Sequence, residues 1–215
     1  MRKQVLLGTT NPAKADYLSR FLADYDVEFL TLRDLDIQSS PEEDGRDPLA
    51  NARAKAAWYG QFFPLVMAQD SALYIRELPL DDPRQPGLTI KRRPDGTEMG
   101  DEEMIAHYSA LARQLGGRMT GYYLDGYAVC SRGEVSGFMD DGPVTDLYSF
   151  YLVDTPHPNR HPGWPLDSIS VRPSTGRYFV EDRESQFTAD QEVLAKDYAH
   201  ELQAFLAEKL GLDRR

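Results

Sequence analysis

The chain has 215 residues, 41% of them hydrophobic and 27% charged, which is ordinary for a soluble protein with a substantial core. The formal net charge of −11 argues against a nucleic-acid-binding protein, which would carry a basic face. The single cysteine, Cys130, excludes an internal disulfide, and no apolar stretch approaches the length of a membrane span. The N-terminus lacks the apolar core of a signal peptide, so we expect a cytoplasmic protein without nucleic-acid or membrane partners.

The first third of the chain alternates apolar runs, which predict strands, with segments of helical spacing behind a capping residue. The predicted strands are Val5–Gly8, Val27–Leu32 and Phe63–Ala68. The predicted helices run from Pro12 to about Ala23 and from Asp47-Pro48 to about Tyr59. This β-α-β-α-β order is typical of an α/β fold with a largely buried sheet.

The remainder of the chain begins with Leu78–Gly100, whose Pro, Gly and charged residues predict a surface loop or hinge. Capping patterns then predict a helix that Asp101 caps and Gly116-Gly117 closes, and a C-terminal helix from Thr188 to about Leu210. Between these helices lie three predicted strands, Thr120–Ser131, Glu134–Met139 and Leu147–Val153. Hairpins after an α/β start predict a mixed, strongly twisted central sheet with flanking helices.

The first candidate binding feature is Thr9-Thr10-Asn11-Pro12-Ala13-Lys14, directly behind the first strand. Asn11 is placed to cap the helix, Pro12 to occupy its first position and Lys14 to project from its first turn. Hydroxyls, backbone N–H groups and an ammonium at a helix start can bind phosphate. The alternative is a capped helix with an exposed lysine.

The second candidate feature is a set of carboxylates. Glu42, Glu43 and Asp44 lie in the polar loop before the second helix, and Asp70 follows the apolar end of the third predicted strand. Ligands of open α/β sheets bind at the carboxyl ends of strands, and carboxylates together with phosphate oxygens are ligands of Mg²⁺. The alternatives are a solvated acidic loop and an ordinary turn at Asp70.

The third candidate feature is basic: Lys55 on the second helix and Lys91-Arg92-Arg93 in the central loop. The alternative for the Lys-Arg-Arg run is a solubilising surface loop. Taken together, a phosphate-binding helix start, two carboxylates and several cations are the parts needed for metal-assisted attack on a phosphoanhydride.

Five motifs in register resemble the inosine triphosphate pyrophosphatase (Ham1-like) family, which hydrolyses non-canonical purine nucleoside triphosphates to monophosphate and pyrophosphate. The family's (T/S)-x-N-x-x-K, N-A-x-x-K-A, A-(D/E)-D-(S/T)-G-L and P-G-x-x-I-K motifs are recognisable, together with its acidic loop. The matching segments are Thr9–Lys14, Pro41–Gly45, Asn51–Ala56, Ala68–Leu73 and Pro86–Lys91.

The resemblance implies one domain over residues 1–215, with a phosphate and metal half at about 1–95 and a second lobe with the base pocket at about 96–215. It implies a cleft between two lobes and a homodimer. Glu43 and Asp70 would bind Mg²⁺, and Asp70 would also activate the attacking water. The residues implied in triphosphate binding are Thr10, Asn11, Lys14, Lys55, Ser71 and Lys91, and Thr9 lies in the same phosphate-binding turn.

The C-terminal third departs from the family pattern. The family's F-G-(Y/W)-D-P segment is replaced by Gly163–Asp167, in which Trp164 could stack on a base and Asp167 could hydrogen-bond one. Trp164 could equally fill the edge of the core. There is no Ser-His-Arg motif, and Lys196 lies near its expected position. The loop that carries His157 and His161 is interpreted as a surface loop.

Within the better-matched half, Gln69 replaces an acidic residue of the family motif and Ala72 replaces its glycine. Two hypotheses follow. The favoured one is a Mg²⁺-dependent nucleoside triphosphate pyrophosphatase with a diverged base preference. The other is a catalytically weak nucleotide-binding or regulatory protein that kept the fold and lost purine recognition.

Overall fold

The structure is a computed structural model that describes residues 2–93, 95–140, 142–181 and 187–215. Its strands are β1 Lys3–Leu7, β2 Val27–Thr31, β3 Leu65–Ile75, β4 Arg118–Ser131, β5 Glu134–Met139, β6 Phe150–Val153 and β7 Ser170–Val171. Its α-helices are α1 Pro12–Phe21, α2 Pro48–Tyr59, α3 Asp101–Gln114, α4 Pro143–Leu147 and α5 Ala189–Leu210, and a 3₁₀ turn covers Pro165–Ser168.

The strands form one mixed sheet in the order β2-β1-β3-β4-β6-β7, and β5 pairs with β4 off this path. β1 runs parallel to both neighbours, with Leu6 opposite Leu30 of β2 and Val66 of β3. β4 is antiparallel to β5 and to β6, as its pairs Val129 with Ser136 and Met119 with Leu152 show. The predicted mixed α/β fold is therefore confirmed.

The chain divides into two compact units built from discontinuous segments. The first comprises Met1–Ser71, Asp125–Asp140 and Ala195–Arg215, and the second comprises Ala72–Leu124 and Asp141–Leu194. β3, β4 and α5 contribute residues to both units, because the boundaries after Ser71, Leu124 and Leu194 fall within these elements. The assignment of the whole chain to one domain stays a prediction.

Each unit has its own apolar core. In the first, α1 and α5 cover one group of sheet residues, and α2 covers a second group. The fully buried side chains that define these two groups include Leu7, Leu18, Leu22, Leu206, Leu6, Ala56 and Tyr59. In the second unit, Tyr108 of α3 is buried with Phe150 and Leu152 of β6. No helix within the described residues is long and apolar enough to span a membrane.

Three local predictions were wrong. The third strand does not end before Asp70 but continues to Ile75, because buried apolar residues resume at Ala72 and Leu73. Asp101 is the first residue of α3 rather than its cap; the N-cap is Gly100, whose N–H donates to the Glu103 carboxylate at 2.8 Å.

The third correction concerns the predicted strand Leu147–Val153, which is extended only from Phe150. The preceding residues form the short helix α4, with Pro143 at its first position. Proline fixes the φ angle that a first helical turn requires, and its missing N–H costs nothing there. The 3₁₀ turn and β7 were not predicted.

Candidate active site

The turn from β1 into α1 forms the capped helix start that the sequence predicts. The Asn11 side chain accepts a hydrogen bond from the Ala13 N–H at 2.9 Å, and Pro12 follows as the first helical residue. The Thr9 hydroxyl accepts from the Asn11 N–H at 3.2 Å, so Thr9 and Asn11 both shape the turn. Thr10 lies exposed between them. The turn therefore holds a fixed backbone conformation at the end of β1.

Lys14 connects this turn to β3. Its ammonium donates to the Ser71 hydroxyl at 3.2 Å, although the two residues are 57 positions apart in the sequence. The first turn of α1 and the centre of β3 thus lie side by side. The prediction that Lys14 projects from the first turn is confirmed.

A compact charged cluster surrounds Asp70, which is only 8% exposed. The Lys55 ammonium lies 2.8 Å from Asp70 Oδ1 and 3.2 Å from Glu43 Oε2. The Asn51 side-chain amide donates to Asp70 Oδ2 at 2.9 Å. Both oxygens of this buried carboxylate therefore have a polar partner, which offsets the cost of removing the charge from water.

The local sequence explains why this cluster forms. Asp47 caps α2 by accepting from the Ala50 N–H at 2.8 Å, and Pro48 occupies the first helical position. Asn51 and Lys55 are four residues apart, so they share one face of α2. Asn51 also accepts from the Gly45 N–H at 2.8 Å, which fixes the acidic loop against the helix.

A second polar group lies beside the first and was missed by sequence reasoning. Asp125 Oδ1 accepts from the Ser71 hydroxyl at 2.5 Å and from the Gln69 amide at 2.9 Å. Burial raises the pKa of the Asp125 carboxyl and the charge of Asp70 raises it further, whereas Ser71, Lys14 and Gln69 oppose the rise. The signal was the one acidic residue of β4, which lies between the aromatic and apolar runs Tyr122–Leu124 and Tyr127–Cys130.

The predicted magnesium ligands, Glu43 and Asp70, lie on either side of one ammonium. No group of three or more His, Cys, Asp or Glu side chains among the residues described is arranged to hold a metal ion. Two carboxylates that meet at one ammonium can nevertheless serve as Mg²⁺ ligands. Proteins bind Mg²⁺ through one or two carboxylates, and phosphate oxygens and water complete its coordination shell. The donor chemistry of Glu43 and Asp70 therefore fits Mg²⁺.

The other predicted site residues belong to the second compact unit. Lys91 is exposed, and its carbonyl accepts from the Met99 N–H at 2.7 Å. Trp164 is partly buried and immediately precedes the 3₁₀ turn, which contains Asp167. Asp167 Oδ2 lies 2.8 Å from His161 Nδ1, so this carboxylate is already paired within its own loop.

The second histidine of that loop also has partners. The His157 ring packs against Tyr178 with 5.2 Å between ring centroids, and its Nε2 lies 3.9 Å from Glu181. Its backbone N–H donates to the Ser168 carbonyl at 2.7 Å. These contacts give both histidines a role in fixing the loop.

Comparison with known proteins identifies the family. A sequence profile of the Ham1 family matches residues 5–140, well over half of the chain. The chain belongs to the Ham1 family. The matched region contains the whole charged cluster around Asp70 and Asp125, so the residues that build the Ham1 match also build the candidate site.

The curated relatives of this Ham1 protein are dITP/XTP pyrophosphatases. The enzyme of Leptospira interrogans is 33% identical over 104 residues, which are 47% of this chain and 50% of that protein. The enzyme of Mannheimia succiniciproducens is 37% identical over 79 residues, 36% of this chain and 39% of that protein. The match thus spans half or less of each relative's length.

Solved Ham1 structures share the fold over nearly the whole chain. A HAM1 protein from Coxiella burnetii superposes with a TM-score of 0.66 at 18% identity, covering 96% of this chain and 99% of that one. The Staphylococcus aureus Ham1 protein gives a TM-score of 0.63 at 20% identity, with the same coverage. At these identities the likeness establishes the fold.

Proposed function

We propose that this Ham1 family protein hydrolyses non-canonical nucleoside triphosphates to nucleoside monophosphate and pyrophosphate, with Mg²⁺ as cofactor. The observation that carries the proposal is the pairing of Lys55 with both Glu43 and Asp70, at 3.2 and 2.8 Å. This cluster joins carboxylates to a cation in the arrangement that phosphoanhydride hydrolysis requires. The naming of the relatives as dITP/XTP pyrophosphatases supports the same substrate class.

Asp70 is the candidate for activating water. Its carboxylate would accept a proton from a water molecule that attacks phosphorus, and the bond between the α phosphorus and the bridging oxygen to the β phosphorus would break. Asn51 and Lys55 each donate a hydrogen bond to one of its oxygens, so the carboxylate keeps one orientation before the substrate binds. Mg²⁺, bound by Glu43 and Asp70, would neutralise charge on the phosphoryl oxygens.

The triphosphate would be held by the first turn of α1 and by two lysines. Lys14 and Lys55 supply ammonium groups, and Thr10 presents an exposed hydroxyl at the turn that Thr9 and Asn11 shape. The two ammonium groups lie among the carboxylates of Glu43, Asp70 and Asp125, so a divalent cation is needed beside them to offset the charge of a triphosphate in a chain of net charge −11. We expect Lys91 to contribute to the same binding directly, and Ser71 to contribute through its hydrogen bond to Lys14.

The base would be read by Trp164 and Asp167, whose loop differs from the family pattern. An aromatic ring can stack on any base, and a carboxylate can accept from its N–H groups. We also expect a homodimer, as the family resemblance implies, and a cytoplasmic location, as the sequence predicts. The lack of a Ser-His-Arg motif leads us to expect a base preference that differs from that of inosine and xanthosine nucleotides.

The test is pyrophosphate release from a panel of inosine, xanthosine and canonical nucleoside triphosphates, with and without Mg²⁺. We expect release that requires Mg²⁺ and falls by at least about a hundredfold in Asp70→Asn, since the amide cannot accept the water proton. Undiminished release by Asp70→Asn would refute the assigned role. Nucleotide binding without release from any triphosphate would instead support the catalytically weak binding protein.

A further inference from the structure

The polar triangle on β3 and β4, formed by Gln69, Ser71 and Asp125, is not explained by the family motif. The motif that Ala68–Leu73 resembles has an acidic residue where this chain has Gln69, so β3 carries one carboxylate, Asp70, where that motif would give two. The structure has a carboxylate directly opposite: Asp125 Oδ1 lies 2.9 Å from the Gln69 amide nitrogen. The acid and the amide thus face each other on neighbouring strands.

The triangle uses every hydrogen-bonding position of one hydroxyl. Ser71 donates its proton to Asp125 at 2.5 Å, and its oxygen accepts from Gln69 and from Lys14, each at 3.2 Å. A serine hydroxyl has one donor and two acceptor positions, so all three are occupied. Because a carboxylate can only accept, Asp125 fixes the direction of the Ser71 proton, and the lone pairs of Ser71 face the Lys14 ammonium.

We propose that Asp125 takes the place of the carboxylate missing at position 69 and acts as a positioning residue that holds Lys14 through Ser71 at the triphosphate site. The inference rests on the proposed function. Gln69 is 7% exposed and the Lys14–Ser71 contact is partly buried, so water competes poorly for these hydrogen bonds. The negative charge of Asp125 also attracts the Lys14 ammonium electrostatically.

The first experiment removes the charge of Asp125 while keeping its shape. We expect Asp125→Asn to raise KM for the triphosphate, and Kd for inorganic tripolyphosphate measured by calorimetry, about tenfold, with kcat changed less. The double variant with Lys14→Met should be no weaker than Lys14→Met alone, because Asp125 acts through Lys14. If Asp125 only repelled a polyanion, KM would stay constant or fall in Asp125→Asn, and that result would overturn the proposal. Additive effects of the Asp125 and Lys14 substitutions would overturn it as well.

The second experiment moves the carboxylate back to β3. Gln69→Glu combined with Asp125→Asn exchanges acid and amide isosterically, and the Gln69 nitrogen is already 3.2 Å from the Ser71 oxygen. We expect Gln69→Glu alone to be impaired, since two carboxylates would face each other at about the present 2.9 Å. The double exchange should recover KM to within about threefold of wild type, and a double variant no better than Asp125→Asn would overturn the proposal.

Asp140→Asn is the control, because Asp140 is 7% exposed in the same unit and its carboxylate accepts from the Tyr198 hydroxyl outside the triangle, while its backbone N–H, which the substitution keeps, donates to the Asp125 carbonyl at 3.0 Å. We expect lower thermal stability with KM unchanged; a tenfold rise in KM here would show a general effect of losing a buried carboxylate and would overturn the inference. If the wild-type chain hydrolyses no triphosphate, the proposed function is wrong. The binding of tripolyphosphate to the same variants then still tests whether Asp125 positions Lys14.

Discussion

Asn51→Asp is the sharpest perturbation of the Asp70 cluster, because it changes one atom type and almost no volume. Asn51 is 2% exposed, and its amide nitrogen donates to Asp70 Oδ2 at 2.9 Å. The substitution replaces that donor with a carboxylate oxygen at the same place. A hydrogen bond to a charged group, worth about 1.5–3 kcal/mol, is exchanged for like-charge repulsion.

The magnitude follows from comparing two ways of accommodating the new charge. Two carboxylates about 2.9 Å apart repel by about 6 kcal/mol at an effective dielectric constant of about 20. Protonating one carboxyl with an ordinary pKa of about 4 costs about 4 kcal/mol at pH 7. Protonation is therefore the cheaper response, and we expect the free energy of unfolding to fall by about 4 kcal/mol at pH 7.

The loss of stability in Asn51→Asp should grow as the pH rises. The folded variant would hold a proton that the unfolded chain releases above about pH 4, so the pKa of the new carboxyl pair is raised on folding. Its stability relative to wild type should then fall by about 1.4 kcal/mol for each unit that the pH rises between about 5 and 7. At higher pH the loss of stability reaches a limit, because leaving both carboxylates charged then costs less free energy than protonating one of them.

Urea unfolding of wild type and Asn51→Asp at pH 5, 6 and 7 measures this difference directly. Asn159→Asp is the control, since Asn159 is exposed and the same chemical change there should leave stability within about 0.5 kcal/mol. A loss that is the same at all three pH values, or smaller than about 1 kcal/mol at pH 7, would refute the placement of the Asn51 amide against Asp70.

Three further predictions concern the supports of the site. Gly126→Ala should destabilise the fold and reduce activity, because the added Cβ would lie 2.4 Å from the Leu49 backbone nitrogen at the start of α2. An unchanged melting temperature in calorimetry would contradict this close approach. Asn11→Ala should cost about 1 kcal/mol in urea unfolding by removing the cap bond to Ala13, and a neutral effect would argue against the cap. Lys55→Met should cost about 3 kcal/mol, since it removes the ammonium partner of the buried Asp70 and of Glu43, and a more stable variant would show that the ion pairs do not compensate their desolvation.

Much of the fold could be predicted because its signals are local. The caps at Asn11 and Asp47 precede proline at the first helical position, and the structure confirms both helix starts. The turn at Arg132-Gly133, with positive φ at both residues, likewise confirms the hairpin of β4 and β5. Such features depend on neighbours within a few residues, which the sequence displays directly.

The course of β3 could not be predicted, because its polar residues have distant partners. Gln69 and Ser71 are paired with Asp125, which is more than 50 positions away, and Asp70 is paired with Asn51 and Lys55 on α2. A sequence pattern shows three polar residues in a row and suggests a turn. Only tertiary contacts reveal that each one is satisfied inside an extended strand.

The candidate site was predicted in the same uneven way. Short motifs pointed to Lys14, Lys55 and Asp70, and the structure brings Lys14 to Ser71 and Lys55 to Asp70. Asp125 belongs to no motif, and its contribution depends on the pairing of strands. The base-reading roles of Trp164 and Asp167 stay predictions.

The most direct test is the identity of the products, followed by ³¹P NMR during incubation of the wild-type protein and Mg²⁺ with each triphosphate of the inosine, xanthosine and canonical panel. For every triphosphate that is hydrolysed we expect equal amounts of nucleoside monophosphate and pyrophosphate, with neither formed by Asp70→Asn. Release of orthophosphate with nucleoside diphosphate would contradict cleavage between the α and β phosphorus. Unchanged triphosphate throughout the panel, in samples that bind nucleotide, would contradict the claim that this Ham1 protein is a pyrophosphatase.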